Sequence, residues 1–136
     1  MEYLKISNDV SFRINADLEN LPVRDEVVDI CICTDVIEHV MNDKLVIEKI
    51  SKTIKSDGVL FLATPWQQDL SVYDLPEYKS KYAKYKYVHL RSIDENYMVS
   101  KIYPFFRKTG EQLITDGMAL MEFKPYPIKL HKLIKR

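Results

Sequence analysis

The sequence predicts an α/β fold built on a parallel sheet, and three observations carry this. Residues 27 to 65, VVDICICTDVIEHVMNDKLVIEKISKTIKSDGVLFLATP, read in turn as a strand, a short polar turn, a helix, a Gly turn and a second strand. Both strand runs, Val27 to Thr34 and Val59 to Ala63, are short, β-rich and nearly continuously apolar. The segment between them places Val46, Ile47, Ile50 and Ile54 at helical spacing. Two apolar strands joined by a helical crossover belong in a parallel sheet covered on both faces. In such sheets ligands bind outside the carboxyl ends of the strands, so chemistry belongs in the loops after Cys33 and after Ala63. Those loops hold Asp35, Glu38, His39, Pro65 and Trp66.

Taken in order, the alternation of Val10, Phe12, Ile14 and Ala16 predicts a strand that ends at Asp17, with Pro22 completing a turn. Asp29, inside the next strand, belongs at a solvated sheet edge as a structural group. Asn42 is a fitting N-cap for the crossover helix, Asp43 suits its first turn, and Gly58 is placed to close it after Lys55. Pro65 stops the second strand, and Trp66 reads either as a lid over a ligand or as a core anchor. In DLSVYDLPEYKSKYAKYKYV, Tyr78, Tyr82 and Tyr85 share a helical face with Lys81 and Lys84 beside them. That stripe suits a lid with stacking surfaces and cations, or an amphipathic helix packed on the sheet. Ser92 and Glu95 form a capping box for a helix starting near Ile93, with Tyr97, Met98 and Ile102 inward and Pro104 at its end. The runs Gln112 to Thr115 and Met118 to Phe123, joined by Asp116-Gly117, predict a C-terminal antiparallel hairpin. Residues 124 to 136 read as a basic tail that frays, touches an anionic surface, or docks through Ile128, Leu130 and Leu133.

At 136 residues, 46% hydrophobic and 29% charged, the chain has the composition of one globular domain spanning 1 to 136. No run is long and apolar enough for a membrane span and no signal-peptide pattern opens the sequence, so a cytoplasmic location is expected. Charge is balanced overall but asymmetric: residues 9 to 57 carry 11 acids and 6 bases, residues 58 to 136 carry 8 acids and 13 bases. A balanced total argues against a dedicated nucleic-acid binder. Cys31 and Cys33 fall on one face of one strand, which suits reduced, buried packing residues better than a disulfide or a metal site.

In a helical turn, Asp35, Glu38 and His39 fall at i, i+3 and i+4 and share a face. Two carboxylates and an imidazole at the end of a sheet strand suit Mg²⁺, Mn²⁺ or Zn²⁺. Acids in a first turn equally suit the helix dipole with no metal at all.

The sequence ADLENLPVRDEVVDICICTDVIEHVMND…LVIEKISKTIKSDGVLFLATP, in its order of acidic-x-x-x-LP, apolar-D-apolar, D-x-x-E-H-V and D-G before a strand and Pro, resembles the second half of a class I S-adenosylmethionine (SAM)-dependent methyltransferase. The likeness spans roughly residues 10 to 117. It implies a truncated Rossmann-like methyltransferase sheet with parallel strands, a crossover helix and a C-terminal antiparallel hairpin. It also implies SAM as cofactor, with Asp17 accepting from the adenine amino group, the Leu18 N–H meeting a ring nitrogen, and Thr34 and Asp35 on the cofactor's sulfonium side. The catalytic positions it implies are Glu38, His39 and His89. Ubiquinone-biosynthesis O-methyltransferases and small-RNA 2′-O-methyltransferases carry a similar E-x-x-E-H stretch that binds a divalent metal. By that resemblance Asp35, Glu38, His39 and His89 would hold Mg or Mn, with Asp35 standing where those enzymes have Glu.

The family's Gly-rich first motif has no counterpart here. Three expectations follow: methyl transfer to a small-molecule acceptor, at oxygen; a non-catalytic relic serving as an oligomerisation or regulatory partner; or a fragment whose first residue is internal to a longer protein. An unpaired central strand is adhesive, so a homodimer or a complementing methyltransferase chain is the expected partner.

Overall fold

A computed structural model describes residues 14–82, 88–115 and 126–136, with the side chains of 80–82 outside the description. Four strands, β1 (Val28–Thr34), β2 (Ile54–Pro65), β3 (Phe106–Ile114) and β4 (Ile128–Lys135), form one mixed sheet in the order β1-β2-β4-β3. β1 and β2 are parallel, joined by helix α1 (Asp43–Thr53), while β4 runs antiparallel to both β2 and β3. The parallel pair and its crossover helix are therefore as the apolar runs predict.

The helix begins as expected and ends differently. Asn42 Oδ1 accepts from the Leu45 N–H at 3.2 Å, whereas the helix stops at Thr53 and Ile54 is already extended. Gly58 is thus not its closing residue. It lies in β2, beyond a bulge in which Val28 pairs with Ile54 but Ile30 pairs with Val59, and Asp57 takes the left-handed turn at φ 60°. Close approach, not backbone freedom, requires glycine at 58: a Cβ there would stand 2.5 Å from Ile54 Cγ2 and 2.9 Å from the Lys55 carbonyl oxygen.

The core lies on one face of the sheet. Cys33, Leu60, Leu62 and Leu133 pack against Val46, Ile47 and Ile50 of α1 and against Met98, Ile102 and Phe106. Side chains alternate along a strand, so Ile30 and Ile32 point the other way, and they are 60% and 73% exposed. The expectation of a sheet covered on both faces is corrected here at β1: α1 and the helix at 95–102 pack on the core face, while Ile30 and Ile32 on the other face are exposed. Both cysteines are free, with burial pushing the Cys33 thiol up to about 12. Asp29 meets Lys55 at 2.7 Å in an exposed ion pair at the strand's start, a structural role as expected.

Three further expectations change. Residues 14–16 are not strand, and residues 10–13 of that predicted run lie outside the described residues. Asp94, not Ser92, caps the next helix by accepting from the Tyr97 N–H at 2.8 Å, because Ile93 is drawn into the core, where it bridges Trp66. The helix α3 (Glu95–Tyr97) continues as a wider turn over Met98–Ile102, with Met98 and Ile102 buried as expected. The third concerns the hairpin. Gln112 and Leu113 pair with Leu130 and Lys129, so the basic tail is an interior strand, while Asp116-Gly117 and Met118 to Phe123 lie outside the described residues. Its apolar residues explain the place it takes, since Leu133 is fully buried.

Tyr78 is buried on a short helix, α2 (Pro76–Tyr82), as the packing reading has it. The side chain of Tyr82, with Tyr85, Lys81 and Lys84, lies outside the description. Trp66 is a core anchor: it is buried, its N–H donates to the Pro127 carbonyl at 2.8 Å, and Lys129 Nζ sits 4.1 Å over its ring.

The fold makes two predictions. Gly58→Ala forces Ile54 or the bulge to move and should cost about 1–3 kcal/mol in urea unfolding. The second concerns His131, fully buried in β4 with neither ring nitrogen hydrogen-bonded among the described residues. Burial, with Lys129 nearby, lowers its pKa to about 4 from an ordinary 6.5. The unfolded chain therefore binds a proton that the folded chain refuses, and stability present above pH 6.5 falls as pH drops toward 4. His131→Leu should reduce that acid loss by ~3 kcal/mol, read from urea unfolding at pH 7 and pH 4.

Candidate active site

The site is built on the turn that follows β1. Asp35 adopts φ 51°, and its N–H donates to the Ala63 carbonyl of β2 at 3.0 Å. The chain then makes a single turn closed by the His39 N–H donating to the Val36 carbonyl at 3.0 Å. Asp35 stands before this turn in left-handed backbone, so it does not share a helical face with Glu38 and His39. This corrects the i, i+3, i+4 reading.

Residues 88–91 run alongside and hold the turn. Leu90 N–H donates to the Glu38 carbonyl at 2.8 Å. Arg91 Nη1 donates to the carbonyls of Ile37 at 2.5 Å and Val40 at 2.7 Å, Nη2 to that of Met41 at 3.3 Å, and Nε faces Asp43 Oδ2 at 3.4 Å. Asp43 also accepts from the Tyr97 hydroxyl at 2.8 Å. A planar guanidinium with several fixed donors satisfies carbonyls that point inward from a non-repeating turn, which no single backbone strand could do.

Within this frame Glu38, His39 and His89 converge, each offering one ligand atom within 4.8 Å of the others. Glu38 is fully buried and neither carboxylate oxygen has a hydrogen-bond partner among the described residues. Burial raises its pKa to about 7; its own backbone N–H opposes the rise, Asp35 adds to it and Arg91 opposes it. His39 Nδ1 lies 3.2 Å from the Val88 carbonyl, which can only accept, so Nδ1 is the donor of this bond. The two imidazoles meet edge to face at 4.6 Å. His89 Nδ1 bonds the Gln68 side-chain oxygen, and its ring contacts Tyr73 and Tyr126 at 6.0 and 5.6 Å. Burial, then His39, lowers the His89 pKa to about 4, so it is neutral at pH 7. Two imidazoles and one carboxylate with unsatisfied oxygens have the chemistry of a divalent-metal donor set; Asp35 is not one of the three.

Beside them opens a cavity of about 620 Å³ lined by Asp35, Val36, His39, Val40, Met41, Val88 and Leu90. Its walls are apolar, with one carboxylate and one imidazole, and burial raises the Asp35 pKa. The remaining expected cofactor residues lie elsewhere. Asp17 Oδ1 accepts from the Glu19 N–H at 2.9 Å and starts a 3-10 turn, Leu18–Asn20. Glu19 Oε1 accepts from the Asn42 N–H at 3.2 Å, which ties that turn to the start of α1. Leu18 packs at the core's rim, and Thr34 is exposed at the end of β1. Asp17, Leu18 and Thr34 do not line the cavity. Gln68 sits where the sequence puts it, at the rim after Pro65 and Trp66, and the residues that sequence reasoning missed are Arg91, Tyr73 and Tyr126. Arg91 alone had a signal, in the His-x-Arg lead-in to the helix.

With fold and site in view, comparison places the architecture. The family model described as Methyltransferase domain matches residues 3–62. Among solved structures, a candidate methyltransferase of Bacillus halodurans C-125 has TM-score 0.64 and 16% identity, over 90% of this chain and 76% of that one. A SAM-dependent methyltransferase of Thermotoga maritima has TM-score 0.65 and 16% identity, over 92% of this chain and 64% of that one. The N-methyltransferase NodS of Bradyrhizobium japonicum WM9, solved with S-adenosylhomocysteine, has TM-score 0.56 and 9% identity, over 88% and 52%. A search of curated proteins gives no match. The fold is that of Rossmann-like methyltransferases, and the chain spans about half to three quarters of the length of these three neighbours. Among the described residues no helix is long and apolar enough to cross a membrane.

Arg91→Lys should lose the fork that serves three carbonyls and cost about 2–3 kcal/mol, whereas Lys55→Met, which removes an exposed pair, should cost under ~1 kcal/mol. Denaturant unfolding of the two variants checks the contrast.

Proposed function

We propose that this chain is a SAM-dependent methyltransferase-like protein that acts on the oxygen of a small-molecule acceptor and works as a homodimer or with a complementing methyltransferase chain. The observation that carries the reading is the convergence of Glu38, His39 and His89 at the carboxyl end of β1, beside an apolar-walled cavity. That is where open parallel sheets bind ligands. SAM supplies an electrophilic methyl on a sulfonium, so the chain's own task is alignment, exclusion of water and removal of one proton. Asp17 and Leu18 serve the adenine, and Thr34 and Asp35 the sulfonium side. The apolar walls Val36, Val40 and Met41 hold the acceptor's body and keep water out. His39 takes the acceptor's hydroxyl proton at Nε2 when its ring carries a single proton, on Nδ1, and the Val88 carbonyl on Nδ1 stabilises the imidazolium that results. Glu38, neutral or charged near pH 7, sits next to that developing charge. Should a Mg or Mn ion be used, Glu38, His39 and His89 would hold it, and it would lower the pKa of the acceptor hydroxyl.

A second reading is a non-catalytic relic that acts through its partner. It is favoured by Asp17, Leu18 and Thr34 standing outside the cavity beside Glu38, His39 and His89.

Calorimetric titration with SAM and with S-adenosylhomocysteine, with and without Mg²⁺, separates the two. Micromolar binding that Asp17→Ala abolishes supports the enzyme. A folded chain that binds neither compound supports the relic.

A further inference from the structure

The site carries more negative charge than the fold uses. Asp35 lines the cavity, and its backbone is held left-handed at φ 51° by the bond from its N–H to the Ala63 carbonyl. Asn meets that backbone demand as well as Asp does, so the conformation accounts for the shape of the side chain and not for its charge. Among the described residues the Asp35 carboxylate makes no hydrogen bond or ion pair. Glu38, in the turn that follows, is fully buried with both oxygens unpartnered among those residues. The two carboxylates act on common neighbours. At Glu38, Cys33 and Tyr126 burial is the first cause of a raised pKa, and the Asp35 charge adds to each rise. Glu38 in turn adds to the rise at Cys33 and Tyr126. Arg91 opposes the rise at Glu38 without cancelling it, its guanidinium being held by three carbonyls and by Asp43. Apart from Asp35 and His39 the cavity's lining is apolar. Apolar walls beside an unpaired carboxylate suit a molecule that brings carbon and positive charge together.

We infer that Asp35 sets the specificity of this cavity and that the acceptor is an organic cation, an apolar-bodied compound carrying an ammonium group as well as the hydroxyl that is methylated. This deepens the proposed function and rests on its reading of the cavity as the acceptor's place. The ammonium group lies against Asp35, in a field to which Glu38 contributes, while the hydrocarbon body packs on Val36, Val40 and Leu90. An acceptor bearing a carboxylate or a phosphate meets the same field with the wrong sign. At a separation of about 5 Å, even with the dielectric of water, one unit charge changes the affinity for another by about fourfold, favourably or unfavourably according to sign. Ammonium and carboxylate forms of one body should therefore differ by at least about tenfold. Asp35 is exposed, so the difference should narrow as salt rises. A metal ion is also a cation, and the experiment separates it from an ammonium group.

Benzylamine, benzyl alcohol and benzoate put three charge states on one aromatic body at neutral pH. Each is titrated into the full chain without cofactor, at low and at high salt, and followed through the amide NMR signals of Val36, Val40 and Leu90. Mn²⁺ is titrated in parallel, alone and against bound benzylamine. The expected result is benzylamine bound at least about tenfold tighter than benzoate, with the gap narrowing in salt. Asp35→Asn, which suits the left-handed backbone, should bring the two within about threefold of each other. It should leave benzyl alcohol binding unchanged, which shows the cavity intact. The wild-type order needs no variant, so a folding defect in Asp35→Asn leaves the test standing. Benzoate bound as tightly as benzylamine overturns the inference, as does a failure of all three probes to shift those signals. So does an order that survives Asp35→Asn while benzyl alcohol still binds, or Mn²⁺ that displaces benzylamine at the lower concentration of the two. SAM titration of the same chain reads the cofactor proposal separately, so either can fail alone.

Discussion

The guanidinium of Arg91 is the contact on which the site depends. A turn that neither continues β1 nor begins α1 leaves its carbonyls without regular partners, and buried carbonyls without partners are costly. Arg91 answers three of them and is itself neutralised by Asp43 in the first turn of α1. The turn, the crossover helix and the segment at 88–91 are fixed to one another through one side chain. Glu38 and His39 inherit their positions from that arrangement, as does His89 through its neighbours. Burial raises the pKa of that carboxylate, and Arg91 is the cation that opposes the rise, alongside the glutamate's own backbone N–H.

The sheet shows a second constraint, set by which faces are covered. β2 is central and buried along most of its length because β1 flanks one side and β4 the other. One face receives α1 and the helix at 95–102, and there the core is continuous from Cys33 to Phe106. On this side even polar groups are stripped of water, as with His131 and Thr64, whose side-chain polar atoms have no partners among the described residues. The other face has Ile30 and Ile32 in solvent. A doubly wound sheet normally shields both, so the asymmetry marks where this molecule has the architecture of its structural neighbours in part only.

Much of the frame was legible in the sequence because its signals were local. Apolar continuity located β1 and β2, the 3.6 spacing located α1, and Asn42 marked its start. What failed was also physical. Gly58 looked like a helix stop because glycine has two uses, backbone freedom and close approach, and only the packing tells which applies. The tail left fraying, surface contact and docking open because its bases and apolar residues are interleaved, and alternation puts Leu133 and His131 inside and Lys132 outside. At the site, Glu38, His39 and His89 came together as the resemblance implied, while Asp35 did not, since a left-handed residue at the strand's end breaks the helical register that spacing assumed. The spacing of His89 and Arg91 before the helix marked the place of Arg91 but not its task, because its partners are backbone carbonyls about 50 residues away, and carbonyls leave no trace in sequence.

The interior place of β4 bears on how the chain reaches this shape. Leu62 must wait for His131, and Phe61 for Lys132, before the middle of the sheet exists. Until then β2 has a neighbour on one side only, and in a growing chain it is β2 itself, the later centre, that stands as an open edge. Folding is therefore paced by the closure of a long loop rather than by the quick, local formation of the β1–α1–β2 unit. During synthesis that unit emerges early and remains exposed until residues 128–135 arrive, an interval in which a chaperone or another nascent copy meets the same apolar strands that the finished sheet buries.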